Sequence, residues 1–291
     1  LRMRPSLADS LEADLGTKPE RVRAVSGGDI NDAYRVGFAD GRELFVKSHN
    51  APNPGIYTKE AKGLRWLNEA GALRIPTVVS VSDGIQSGVP YLALEFIESG
   101  RPHPEHGEKL GRGLANLHRF GAPSFGLDHD NFIGRLYQPN GPCESWCEFY
   151  IRRRLEPQLK LAVEGGLASA RMRRGFEKLF LKMGELVGPE EAPARVHGDL
   201  WGGNAIVDEV GCPVLIDPAV FGGHREVDLA MMRLFGGFGA RVFASYEEAF
   251  PLSPGAAERV PLYQLYFLMV HVNLFGSSYV GGALDALERY I

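Results

Sequence analysis

His197-Gly198-Asp199-Leu200-Trp201-Gly202-Gly203-Asn204 is the stretch on which the reading of this 291-residue chain turns. Asp199 and Asn204 have the spacing D-x-x-x-x-N. This spacing lets a loop present a carboxylate to an attacking hydroxyl and then turn back, so that the carboxamide meets a metal ion. Gly198, Gly202 and Gly203 suit so tight a loop, because glycine accepts backbone angles closed to other residues. Downstream, Ile216-Asp217-Pro218 ends a hydrophobic strand with a second carboxylate. Hard oxygens of this kind suit Mg²⁺, which takes one or two carboxylates together with phosphate oxygens. Taken singly, an Asp after Gly is an ordinary turn residue and an Asp-Pro an ordinary strand end. In this order, with one short hairpin between them, they read as the acid and metal end of a phosphoryl-transfer site, with Asp199 as base and Asn204 and Asp217 as metal ligands.

The N-terminal third supplies the parts such a site lacks. Residues 6–15 have helical spacing and stop at Gly16; residues 21–25, 33–38 and 43–48 read as strands, the last two joined by an Asp40-Gly41 hairpin. Lys47 ends Leu44-Phe45-Val46-Lys47, where a phosphate-holding lysine belongs, although strand lysines more commonly lay their stems along an edge. A helix over 57–70 carries Glu60, the natural partner of Lys47, and Glu69 nearer its end. Ser26-Gly27-Gly28-Asp29-Ile30-Asn31 sits in the first strand turn, where the amides of Gly27 and Gly28 could cover phosphates; by itself it is equally a plain hairpin turn. Strands over 77–81 and 90–95 complete a five-stranded antiparallel sheet. Glu95-Phe96-Ile97 follows, and backbone groups of Glu95 and Ile97 there could pair with adenine.

From residue 97 the period changes to that of helices, over 105–120, 144–163, 169–187, 227–235 and 258–275. Short strands at 205–207 and 214–216 interrupt it, and 125–142 reads as an ordered functional loop. The fold class is therefore α+β, a bilobal protein-kinase-like layout. Residues 1–96 form an ATP-binding lobe of sheet plus helix, and 97–291 a mostly helical lobe with the catalytic loop and the acceptor site.

Bulk properties set the limits. With 32 basic and 36 acidic residues the net charge is −4, which argues against a nucleic-acid partner. The run Arg152-Arg153-Arg154 reads as the solvated face of a helix. Three cysteines (143, 147, 212) make neither a disulfide framework nor a zinc pattern; Cys143 and Cys147 would share a helix face if the helix starts early enough. No apolar run reaches the ~20 residues that span a membrane. The first residues lack the apolar core of a signal peptide, so the expected compartment is the cytoplasm.

HGDLWGGN at 197–204, IDPAVFGGHREVDLAM at 216–231, FGLDHDNFIG at 125–134, QPN at 138–140, RLEPQL within 146–159 and HVNLFG at 271–276 together resemble the fructosamine kinases (ketosamine-3-kinases), within the aminoglycoside phosphotransferase-like kinases. The resemblance covers nearly the whole chain. It implies ATP- and Mg²⁺-dependent phosphorylation of O3 of the sugar in a ketosamine, the product of amine glycation; the phosphate then destabilises the adduct and frees the amine. By position it gives Asp199 the base role, Asn204 and Asp217 the Mg²⁺, and Lys47 the ATP phosphates. It also suggests that Asp228 braces the catalytic loop, though an acid near a helix N-terminus also fits. Trp201 could stack on the sugar or serve structure. His271 and Asn273 share a late helix, where a core histidine is the ordinary case and a substrate contact the family alternative. His-Gly-Asp in place of His-Arg-Asp, and no Phe-Gly after Asp217, imply a constitutively competent enzyme for small or exposed hydroxyls. The alternative is another small-molecule kinase of this fold, for an aminoglycoside, choline or a sugar. Residues 260–275 lack the acids an aminoglycoside site needs.

Overall fold

The computed structural model describes residues 3–25, 32–49, 52–85 and 88–291. The glycine-rich turn with Gly27 and Gly28 lies outside them. Strands β1 (Pro19–Ala24), β2 (Asp32–Phe38), β3 (Glu43–Ser48), β4 (Val78–Asp83) and β5 (Pro90–Glu95) form one antiparallel sheet in the order β1-β2-β3-β5-β4. Helix α1 (Pro5–Leu15) precedes the sheet and α2 (Ile56–Asn68) joins β3 to β4. Period-2 alternation on β5 shows the layering. Tyr91 and Ala93 pack with Leu7 and Leu11 of α1, whereas Leu92 and Leu94 pack with Tyr57, Ala61 and Leu64 of α2. The sheet thus has a helix on each face, where the sequence suggested one helix only. Leu7 and Leu11 are fully buried, each a gain of roughly 1.5–3 kcal/mol, which is what docks α1.

The remainder is helical: α3 (His106–Phe120), α4 (Trp146–Phe149), α5 (Glu156–Glu164), α6 (Ala170–Leu186), α7 (Glu226–Phe235), α8 (Ala240–Ala249), α9 (Ala256–Phe275) and α10 (Val280–Glu288). Three two-stranded ribbons accompany it. They are β6 (Asn131–Ile133) with β7 (Leu136–Gln138), β8 (Ala194–Val196) with β11 (Phe221–Gly223), and β9 (Ala205–Val207) with β10 (Pro213–Leu215). This is the protein-kinase-like α+β architecture expected from the sequence. One core crosses between the two parts, because Leu64 and Leu67 of α2 share it with Leu114, Leu200, Leu215 and Met232. The β6–β7 hairpin, the β8–β11 ribbon, α8 and α10 were not expected. Strands of three residues carry no measurable alternation, and α8 follows a glycine-rich stretch that masks its start.

Two sequence expectations are corrected. The helix expected over 144–163 starts only at Trp146, so Cys143 precedes it. Cys143 lies instead on a β-bridge to Phe125, and the two cysteines share no helix face. The arginine run is not a solvated face. A π-helical stretch, Tyr150–Leu155, joins α4 to α5 and turns Arg154 inward, where it is fully buried. Its guanidinium donates to Pro139 O (2.8 Å) and Asn140 Oδ1 (2.7 Å) and lies 3.8 Å from the Phe221 ring centroid. Burial pushes its pKa down to about 10. Arg153 caps Gly141 O at 3.0 Å, and Arg152 alone keeps a surface pair, with Glu148 at 3.0 Å. Among the described residues no helix is long and apolar enough to cross a membrane.

Arg154→Ala empties a packed site and leaves Asn140 Oδ1 and Pro139 O without their donor. Urea unfolding should show a loss of about 3 kcal/mol or more, and a loss below about 1 kcal/mol would contradict this account.

Candidate active site

Asp228, in the first turn of α7, has no exposed surface. Its carboxylate accepts from the amides of His197 (2.7 Å) and Gly198 (2.9 Å) and faces His118 Nε2 at 3.1 Å. Burial alone would raise its pKa; the His118 hydrogen bond, the nearby imidazoles and the Gly198 amide hold it below the usual carboxylate range. Gly198 has φ 82°, and a Cβ there would stand 2.0 Å from Ala219 O, so no other residue fits. The loop 197–204 is then stitched to 216–219: His197 Nε2 meets Ile216 O (2.9 Å), Ala219 N–H donates to His197 O (2.9 Å), and Ile216 N–H donates to Asn204 O (3.0 Å).

The stitching brings the acidic groups together. Asn204 Nδ2 donates to Asp199 O (2.9 Å) and reaches Asp199 Oδ2 at 3.3 Å and Asp217 O at 3.4 Å. Asp217 follows β10 at φ 51°, the only non-glycine positive φ among the described residues. Aspartate tolerates this conformation at a small cost, and such strain concentrates at functional sites. Lys47 is buried and points inward, not along the sheet edge. Its Nζ lies 2.9 Å from Asp217 Oδ1 and pairs with Glu60. Desolvation opposes its charge, but Asp217 and Glu60 outweigh it and raise the lysine pKa. Burial, only partly offset by Lys47, pushes Glu60 up to about 7. Burial and the Asp217 charge push Asp199 up to about 7. Glu69 pairs instead with Arg195, at 3.0 Å.

Lys47, Glu60, Asp199, Asn204 and Asp217 line one cleft of about 730 Å³. Ile56, Lys59, Phe132, Trp201, His271 and Phe275 line it as well. Trp201 is 43% exposed and its ring lies back over Gly203, where a Cβ would stand 2.2 Å from it. His271 Nδ1 faces Phe267 O at 2.8 Å, which leaves Nε2 to the cleft, and burial lowers its pKa, favouring neutral imidazole. Asn273, on the same helix, does not reach the cleft; it donates to Gln158 O and Oε1 and ties α9 to α5. Glu95 and Ile97 do not line the cleft. The Glu95 carboxylate is taken by Arg74 (2.6 Å) and the Thr77 amide (3.1 Å). Sequence reasoning passed over Lys59, Phe235, Phe275 and Tyr279. The aromatic spacing on α9 was visible, but which of its faces turns to the cleft was not.

A buried lysine held by two carboxylates, beside a D-x-x-x-x-N loop on this fold, defines an ATP-dependent phosphotransferase. The chain belongs to the fructosamine kinase family, whose model matches residues 3–291. It is 38% identical over 271 residues to a probable ketoamine kinase of Enterococcus faecium, covering 93% of this chain and 95% of that one. It is 35% identical over 280 residues to the chloroplastic protein-ribulosamine 3-kinase of Oryza sativa subsp. japonica, covering 94% and 80%. A solved Thermobifida fusca protein assigned as a fructosamine-3-kinase superposes with a TM-score of 0.90, at 38% identity and 99% coverage of both chains. An aminoglycoside phosphotransferase solved with streptomycin and ATP superposes at 0.68 with 15% identity, covering 100% and 99%, a likeness of fold alone.

Asp228→Asn keeps the shape but removes the charge that two amides and an imidazole share. We expect a loss of roughly 2–4 kcal/mol near pH 7 in thermal or urea unfolding. Because the folded-state pKa of Asp228 is depressed, its contribution is complete above the unfolded carboxyl pKa of about 4 and fades as pH falls through the folded value. The gap between wild type and variant should therefore close on acidification; a gap that widens would refute the bracing role.

Proposed function

We propose that this protein transfers the terminal phosphoryl group of ATP to O3 of the sugar of a ketosamine, so that the adduct breaks down and the amine is released. The observation that carries the reading is that one cleft is lined by Asp199, by the Lys47–Asp217 pair and by Trp201 and His271. Residues 1–96 would carry the nucleotide, with Lys47 on its phosphates, Glu60 fixing Lys47, the amides of Gly27 and Gly28 for the phosphates, and, outside the cleft lining given above, the backbone at Glu95 and Ile97 for adenine. Residues 97–291 would carry the catalytic loop and the acceptor.

The donor set suits Mg²⁺. Asp217 offers carboxylate oxygen, and Asn204 commits its Nδ2 to the loop, so that its amide oxygen is the atom left for a hard cation. When bound, Mg²⁺ neutralises phosphate charge. Asp199 would orient the sugar hydroxyl and take its proton as the phosphoryl group leaves. Trp201 would stack on the sugar, and neutral His271 would accept from a sugar hydroxyl through Nε2. Acceptors are glycated amines, free or on protein lysines, and the compartment is the cytoplasm.

The rival is another kinase of this fold. Among the described residues the acids lining the cleft are Glu60, Asp199 and Asp217, all at the phosphate end, which disfavours a polycationic aminoglycoside. Turnover on ribulosyl-lysine, fructosyl-lysine, ribose and kanamycin decides: phosphate on O3 of a ketosamine is expected, and turnover confined to kanamycin would sink the proposal.

Asp199→Asn should lower kcat by about 10²-fold or more with nucleotide affinity nearly unchanged; unaltered turnover would remove Asp199 from the base role. Asp199 serves as base only when ionised, and its pKa is about 7. Hence kcat/KM should climb with pH towards a plateau above about 7, and a profile flat from pH 6 to 8 would contradict this assignment.

A further inference from the structure

The β6–β7 hairpin touches three parts of the enzyme that must agree during turnover. At its base, Asn131 Nδ2 donates to Val220 O (2.8 Å) and Gln138 Nε2 to Ala219 O (3.1 Å), three and two residues past Asp217. At its tip, Arg135 donates through its guanidinium to Leu274 O (3.0 Å), near the C-terminal end of α9, the helix that carries His271. The same residue's carbonyl accepts from Asn53 Nδ2 (2.7 Å), just before α2. Lys59 of α2 places its ammonium 4.9 Å from the Phe132 ring centroid and 5.7 Å from that of Tyr137. Lys59 is the residue before Glu60, so the hairpin holds α2 on the turn that positions the Lys47 partner. Phe132 and Gly134 also line the cleft.

We infer that this hairpin is a positioning strut that couples acceptor occupancy to the Lys47–Glu60 pair, with Lys59 and Asn53 as its positioning residues on the nucleotide side. An acceptor packed against Phe132 and α9 holds the tip in place, and the tip, through Asn53 and Lys59, holds α2 so that Glu60 stays on Lys47. Acceptor and nucleotide then bind with mutual assistance, equal in both directions by linkage. The inference rests on the cleft being the acceptor site proposed above, but not on the acceptor being a ketosamine.

The test measures the affinity of the magnesium complex of a non-hydrolysable ATP analogue, with and without a saturating acceptor, the acceptor being whichever compound of the panel the wild type phosphorylates. Wild type should bind the nucleotide about 5- to 10-fold tighter with acceptor present. Asn53→Ala and Lys59→Met should bring that ratio towards one, and Lys59→Arg, which keeps a cation over the rings, should restore it. A wild-type ratio near one, or a ratio kept in both variants, would overturn the strut. If no compound of the panel is phosphorylated, the ketosamine reading fails, and amide exchange of the acceptor-free protein judges the strut by itself. Asn53→Ala should speed exchange in α2 about fivefold while leaving α6 unchanged; α2 exchange equal to wild type would overturn it.

Discussion

The site depends on one carboxylate that water never reaches. Asp228 accepts from the amides of His197 and Gly198 and meets His118, which in turn meets the Tyr246 hydroxyl at 2.8 Å. An isolated charge buried this deeply would cost several kcal/mol, so these donors have to be in place for the fold to close. Once they are, the direction in which the chain leaves His197 is fixed. The His197 ring then holds Ile216 O, its carbonyl holds Ala219, and Asp217 is left between two anchored neighbours in a conformation it would not choose alone. The position of Lys47 follows from Asp217 and Glu60 together. One buried acid in α7 therefore sets the geometry of groups contributed by β3, α2 and two separate loops.

A second buried polar system supports the opposite wall. Asn131 and Asn140 are linked to each other, Gln138 donates to Asn131, the Tyr266 hydroxyl donates to Gln138, and Arg154 donates to Asn140. Networks of this kind stiffen a structure when every member is satisfied and weaken it when one is missing. The π-helical stretch has a physical reason here: it aims Arg154 at Asn140 and stacks it on Phe221, where regular helical register would aim it elsewhere. The hairpin stands on this network through Asn131 and Gln138.

Much was legible in the residues. Strand β3 carries Lys47 one residue before its end, as the sequence places it, Glu60 rather than Glu69 meets that lysine, and Asp199, Asn204 and Asp217 converge. These are local matters of spacing, periodicity and turn chemistry, which a single stretch of chain decides by itself. The arginine run was misread for the opposite reason. Whether a charged side chain faces water or a ring depends on helix register, and register was changed by an insertion that periodicity does not reveal.

What the sequence alone determined is the chemistry: a carboxylate and a carboxamide at fixed spacing, a strand-borne lysine, a second carboxylate after a hydrophobic strand, and the family to which the whole pattern belongs. Only the tertiary structure decided which polar groups are shared out in the interior. It took the Glu95 carboxylate for Arg74, Asn273 for Gln158, and Arg154 for Asn140 and Phe221. It also decided that a hairpin of six strand residues reaches both α2 and α9. Such pairings join residues far apart in the chain. They are set by which donors and acceptors burial leaves in need of partners, a condition that exists only once the core has closed.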